Sequence, residues 1–204
     1  MARPNRSNEK RAELLPIVAS AFSELGYRKA TTKALAARCG VQENILYRLW
    51  ADKKAMFVAS IDYLFDATIE RWQGMIDAAE DEPAGPSAAE RLLAYDAAHR
   101  GESGFYRITF AALSETDDPD VRAALRRMYR NFSGVIESQI DGHRAAEGSP
   151  DAEDVLPGAV AAWAVLGVAT AADIGRETGL MSAAKRKQLV AQAGRCLLEG
   201  GRGG

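Results

Sequence analysis

Asn44 and Arg48 stand four residues apart in the stretch 31–50, TTKALAARCGVQENILYRLW. On a helix that spacing stacks two side chains on one face. A guanidinium bonds bidentately to O6 and N7 of guanine, and a carboxamide to N6 and N7 of adenine, so this pair is equipped to read base edges. Glu43 adds an acceptor suited to cytosine N4. At about 100° per residue, Leu46, Leu49 and Trp50 fall on the opposite face, with Ile45 and Tyr47 on the shoulders. A helix with that division packs on a partner and offers its outer face to a major groove.

The partner precedes it in the chain. A helix is predicted to begin at Thr32, whose hydroxyl is placed to cap the amides of Ala34 or Leu35, and to run through Leu35, Ala36 and Cys39. Gly40 ends it, because only glycine adopts the left-handed C-terminal conformation without penalty, and Val41 plugs the junction. The reading helix follows from about Glu43 to Trp50. An ordinary pair of packed amphipathic helices has the same spacing. Beyond it, Asp52 is a good cap, yet Lys53 and Lys54 place positive charge in the first turn of the next helix, against its dipole. A DNA phosphate at that terminus resolves the conflict.

Gly26-Tyr27, Ala30-Thr31-Thr32, Leu35-Ala36, Gly40-Val41, Leu46-Tyr47 and Lys53 together resemble the N-terminal signature of the TetR (tetracycline-repressor) family of bacterial transcription regulators, over roughly Glu9 to Phe57. The resemblance implies an all-helical chain of about nine helices, with a three-helix DNA-binding head joined by a long helix to a regulatory and dimerising body. It implies phosphate contacts from Thr32, Tyr47 and Lys53. It also implies a homodimer on a palindromic operator, repression as the default, and release by a small molecule bound in the body. The candidate DNA contacts are Thr32, Lys33, Gln42, Glu43, Asn44, Ile45, Tyr47, Arg48 and Lys53. Two positions depart from the pattern: Gln42 replaces a common capping serine, and Glu43 brings negative charge towards DNA.

The chain has 204 residues, 47% of them hydrophobic, enough for a real core. Charge is segregated: residues 1–54 hold eleven Lys and Arg against five Asp and Glu, whereas the remainder holds fifteen against twenty-three. A basic head on an acidic body suits a protein that puts one end on phosphates. Cys39 and Cys196 are far apart, and His99 and His143 lack nearby ligand partners, so neither a metal, a disulfide nor a cofactor is expected. There is no glycine-rich phosphate loop and no nucleophile elbow, which argues against an enzyme. The N-terminus lacks the apolar core of a secretory signal, so a cytoplasmic location is expected. Residues 155–172 run eighteen positions without a charge, but half of them are Ala and Gly and one is Pro, which favours a buried helix over a membrane span.

In chain order, Met1 to Asn8 reads as a loose arm carrying Arg3 and Arg6, with a first helix from about Asn8 to Leu25 closed by Gly26. Pro16 predicts either a kink or a regular part beginning near Glu13. A long helix from Asp52 to about Ala79 spans roughly 40 Å. Helices then follow over about 87–100, 105–116, 118–142, 151–177 and 182–199, which gives domains at 1–52 and 53–204. Trp72, Met75, Tyr95, His99, Phe105, Phe110, Met128, Phe132 and Trp163 are the large side chains available to line an effector cavity, for an apolar or aromatic ligand. Val155, Gly158, Ala162, Val165, Ala169 and Ala172 recur at steps of three and four. With Leu189, Val190, Ala193, Cys196 and Leu197 of the last helix, they form a seam suited to a four-helix bundle with a second copy or to packing within one chain. A DNA-bound architectural factor with the same head and no ligand switch is the rival reading. Salt-sensitive affinity for many sequences would mark it.

Overall fold

The computed structural model describes residues 6–82, 84–101, 104–148 and 156–200. Among them the chain forms nine helices and no strand: α1 (Arg6–Lys29), α2 (Thr32–Arg38), α3 (Glu43–Leu49), α4 (Lys53–Glu80), α5 (Ala88–His99), α6 (Phe105–Leu113), α7 (Pro119–Ala146), α8 (Gly158–Glu177) and α9 (Ala183–Leu198). The fold is all-α. Residues 1–5, with Arg3 of the expected arm, lie outside the described residues, and Arg6 to Asn8 already belong to α1.

Pro16 does not act as expected. It sits inside α1, and the backbone leaves helical geometry at Gly26 (φ 73°, ψ 160°) instead. The amide Pro16 lacks would have bonded the carbonyl of Ala12, which is exposed, so water can take that acceptor. The left-handed φ at Gly26 carries the chain onward to Tyr27, whose ring lies 4.6 Å from that of Phe57.

The chain divides into two compact units, which do not coincide with a division at residue 52. The first comprises residues 1–68 and 103–128. It therefore takes in α6 and the beginnings of α4 and α7 as well as α1 to α3. The reason is packing: α1 lies on α6, and Phe22, Phe57, Leu14, Val18, Leu35, Met56 and Ile108 are all fully buried. Ion pairs add to this on the surface. Lys54 bridges Asp118 (3.2 Å) and Asp120 (2.6 Å), Arg28 meets Glu115 at 2.6 Å and Arg127 meets Asp62 at 3.0 Å.

The second unit comprises residues 69–102 and 129–204. Here α9 packs on both α5 and α8. Small residues make the close approaches possible: Gly194 faces Leu93, and Ala89, Ala161, Ala97 and Ala172 sit in the core with Ile140, Val190 and Leu198. Arg144 is buried and has no acidic partner among the described residues. It donates instead to the carbonyls of Leu198 (3.1 Å), Leu197 (2.7 Å) and Leu156 (2.7 Å), and two of these are orphan acceptors at the C-terminus of α9.

Candidate nucleic-acid interface and ligand cavity

In the first unit, α2 is capped by Thr31, not Thr32: Thr31 Oγ1 accepts from the Ala34 amide at 3.1 Å, with Thr31 in extended backbone. Thr32 is freed from that duty, and its hydroxyl lies 3.0 Å from the Tyr47 hydroxyl on α3. At the other end, Gly40 takes φ 64°, while the Gly40 amide bonds the Ala37 carbonyl and the Val41 amide the Ala36 carbonyl. This paired closure sets the turn between the two helices. Gln42 precedes α3 without a side-chain cap, in keeping with the missing serine.

The two faces of α3 separate as the helical period predicts. Leu46 and Leu49 are buried, as is Trp50 just after the helix, and Ile45 is half-buried. Gln42, Glu43, Asn44, Tyr47 and Arg48 are exposed, as is Lys33 on α2. Arg11 of α1 donates to the Leu49 carbonyl and lies 5.8 Å over the Trp50 ring, fixing the end of α3 from behind. Arg38 is tied to Glu24 at 2.7 Å, and that ion pair holds the Glu24 carboxyl below its ordinary value.

Asp52 caps α4 through the Ala55 amide (2.7 Å). The two lysines expected to greet a phosphate are otherwise engaged. Lys54 is held by Asp120 and Asp118, whose hydrogen bonds raise its pKa. Lys53 donates to the Tyr27 carbonyl at 3.0 Å with its ammonium 4.4 Å over the Tyr27 ring. It remains partly exposed.

The second unit contains an apolar cavity of about 90 Å³. Leu92 and Leu93 of α5, Ile136 and Ile140 of α7, Val165 and Ala169 of α8, Val190 of α9 and Trp72 of α4 line it. Asp96, Arg100 and Gln139 are its polar members. Arg100 donates twice to Asp96 (2.8 and 2.9 Å), once to Asp173 (2.8 Å) and through Nε to the Ala169 carbonyl (3.0 Å). Burial works against the Arg100 charge, but the two carboxylates outweigh it and raise its pKa. Asp173 is 3% exposed, and burial raises its pKa despite Arg100.

Size was a poor guide to this cavity. Of the large side chains named from the sequence, Trp72 lines it, with Phe132 packed against Trp72 at 5.1 Å. Phe105, Phe110 and Met128 belong to the first unit. Tyr95 and His99 stack on each other at 4.4 Å away from it, Met75 is half-buried outside its wall, and Trp163 is 55% exposed. The polar cluster escaped sequence reasoning because its members come from α5 and α8, more than seventy residues apart.

The small-residue seam of α8 faces inward. Ala162, Ala169 and Ala172 are buried and Val165 lines the cavity, while Gly158 lies against Asp141; Val155 falls outside the described residues. On α9, Val190 is buried, Leu189, Ala193 and Leu197 are half-buried and Cys196 is exposed. The face that α8 leaves open is a different one. Val160, Trp163 and Ile174, each about half exposed, follow one another along its outer side. By length and composition α8 is the one described helix apolar enough to cross a membrane, with 33% of its apolar window buried.

The family model for bacterial regulatory proteins of the tetR family matches residues 19–60, from the middle of α1 through the reading helix into α4. The fold superposes on a TetR-family transcriptional regulator from Cytophaga hutchinsonii with a TM-score of 0.77, at 14% identity over 98% of both chains. Residues 19–60 thus carry a TetR-type DNA-binding segment, and the chain shares the fold of TetR-family regulators. The fold also matches FadR of Bacillus subtilis, solved in complex with stearoyl-CoA (TM-score 0.69, 13% identity, 93% of this chain and 98% of that one). In sequence, the chain is 33% identical over 78 residues to the nucleoid occlusion factor SlmA of Photobacterium profundum. That stretch is 38% of this chain and only 40% of the relative. Within the TetR-type head, the tether of Lys53 to Tyr27 and the grip of Arg11 on α3 are what the motif did not reveal.

Proposed function

We propose that the protein is a homodimeric repressor that binds a palindromic operator in the cytoplasm and is released by a small molecule held in the cavity of the second unit. The observation that carries the reading is α3, whose apolar residues are buried while Gln42, Glu43, Asn44, Tyr47 and Arg48 stand exposed within a TetR-type helix-turn-helix. Arg48 and Asn44 then read base edges, with Glu43 selecting a cytosine, while Tyr47, Thr32, Lys33 and the free face of Lys53 meet phosphates. Two such heads on a two-fold axis read half-sites with centres about 34 to 36 Å apart, or a multiple of that.

For the dimer, the outer face of α8 replaces the seam expected from the sequence. Val160, Trp163 and Ile174 remain exposed in one chain and recur at helical spacing, whereas Ala162, Ala169 and Ala172 of the α8 seam are buried inside it. An effector in the cavity, touching α4 through Trp72 and α5, α7, α8 and α9, favours one arrangement of these helices and thereby alters operator affinity. A ligand-bound neighbour, FadR with stearoyl-CoA, supports a binding site in this fold.

Selection of bound duplexes from a random pool at near-physiological salt tests the reading, and recovery of a palindrome is the expected result. A second reading, a DNA-bound factor without a ligand switch, draws on the likeness to a nucleoid occlusion factor. Affinity for many unrelated sequences, falling steeply with salt and indifferent to small molecules, would favour it.

A further inference from the structure

Resting on the reading of Arg48 as a base reader, we propose that Arg11 of α1 sets base discrimination by α3. It is a positioning residue: it fixes the last turn of the reading helix, and with it the reach of Arg48, without itself meeting a base.

The helix α3 has seven residues, barely two turns. A helix that short gains little from its own hydrogen bonds and keeps its shape through tertiary contacts. Arg48 lies in its last turn, where the carbonyls lack intrahelical partners and fraying begins. A bidentate contact between guanidinium and guanine tolerates a displacement of only about 0.5 Å, or roughly 10 to 20°. Whatever holds that turn therefore decides how well Arg48 tells one base pair from another.

Arg11 holds it in two ways. Its Nη2 donates to the carbonyl of Leu49, the residue that follows Arg48, and its guanidinium carbon lies 5.8 Å from the centre of the Trp50 ring. The first contact satisfies an orphan acceptor and places a cation at the negative end of α3. The second draws the guanidinium to the ring's π face. Trp50 needs that hold, because its Nε1 is buried with no hydrogen-bond partner among the described residues, so no bond of the side chain's own orients the indole. The Trp50 amide in turn closes the last turn on the Leu46 carbonyl at 2.8 Å. The grip on Leu49 and Trp50 is thus a grip on the backbone that carries Arg48. Arg11 supplies it from thirty-eight positions away from Leu49, on a helix outside the helix-turn-helix pair.

The experiment measures affinities of the full-length protein by fluorescence anisotropy, on the operator recovered by selection and on its single-position variants. Arg48→Ala first identifies the base pair that Arg48 reads. Arg11→Met keeps an apolar stem beside Trp50 and removes the donors and the charge. It is expected to weaken the preferred operator about tenfold, and operators altered at that base pair less than twofold. In a protein that already carries Arg48→Ala, it is expected to cost less than twofold on every duplex. A side chain that merely stabilised the head would lower affinity for all duplexes by one factor. Equal loss on all duplexes therefore overturns the proposal, and a salt slope lower by about one would then assign Arg11 to a phosphate. Undiminished loss in the Arg48→Ala background overturns it as well. If Arg11→Met unfolds the head, Arg11→Lys carries the test. It keeps the cation, drops the planar fork and is expected to lose about threefold of the same discrimination. Should Arg48→Ala relax no base pair, the reader reading and this proposal fall together. Should it relax one that Arg11→Met leaves untouched, this proposal falls alone.

Discussion

The Thr32 and Tyr47 hydroxyls converge to 3.0 Å from two different helices, on the side of the head that carries the exposed groups of α3. A phosphate oxygen arriving there finds one hydroxyl hydrogen free and the second released by giving up the Thr32–Tyr47 bond, with both groups already placed, so little side-chain freedom is lost on binding. Tyr47→Phe is expected to weaken every duplex alike, by about 1 kcal/mol. Arg48→Ala should behave differently. As a base reader it is expected to cost about 1 to 3 kcal/mol on the preferred operator and to relax preference at one base pair. Fluorescence anisotropy on the operator and on single-position variants checks both, and equal loss on all sequences would remove Arg48 from the readers. The faces of α3 were legible because a 3.6-residue period sorts Leu46 from Asn44 whatever surrounds them. The cap was not. Adjacent threonines have equal chemistry, and only the extended backbone at Thr31 decides which one closes the helix. Nor could sequence place the Lys53 ammonium on Tyr27, twenty-six residues away.

At the scale of the elements, the ends of helices carry more of the design than their middles. Ser87 and Glu90 form a reciprocal capping box on α5, each side chain bonding the other's backbone amide. Ser87→Ala is expected to lower stability by about 1 kcal/mol. The Ser87 amide, against the effect of partial burial, holds the Glu90 carboxyl below its ordinary value. A depressed carboxyl stabilises the fold above the ordinary value of 4.5 and loses that contribution as pH falls through the lower folded one. Acid titration of stability should therefore be shallower in Glu90→Gln, read as the unfolding midpoint between pH 6 and about pH 3. Arg144 closes α9 in another way, by giving a buried cation to the carbonyls of its last turn and of Leu156. Arg144→Met removes all three bonds and the dipole partner, with an expected loss of about 2 kcal/mol, a drop of roughly 4 to 8 °C in melting temperature for a chain of this size. The existence of these helices followed from caps and periodicity, as Ser87, Asp118 and Ser182 show. Which large residues meet around a cavity did not follow, because a side chain's size says nothing about the neighbour it faces.

For the whole molecule, the proposed homodimer turns on which side of α8 would meet a second copy. A stripe of small residues in a sequence is compatible with close packing inside a chain or between chains, and the two cannot be separated by spacing. Burial separates them. Ala162 and Ala172 have no exposure in the single chain, so neither can also form the interface, while Trp163 on the opposite side keeps 55% of its surface open. An aromatic side chain of that exposure, in line with Val160 and Ile174, is the kind of anchor that dominates an interface once covered. The two faces therefore respond in opposite ways to the same chemical change. Trp163→Glu is expected to leave melting of the separated chain nearly unchanged while sedimentation shows a particle of 22.0 kDa instead of twice that mass. Operator binding then falls sharply, because one head must bind without its mate. Ala162→Glu buries an unpaired carboxylate and is expected to unfold the second unit rather than dissociate a folded dimer. A folded monomer from Ala162→Glu, with Trp163→Glu still dimeric, would return the interface to the small-residue seam.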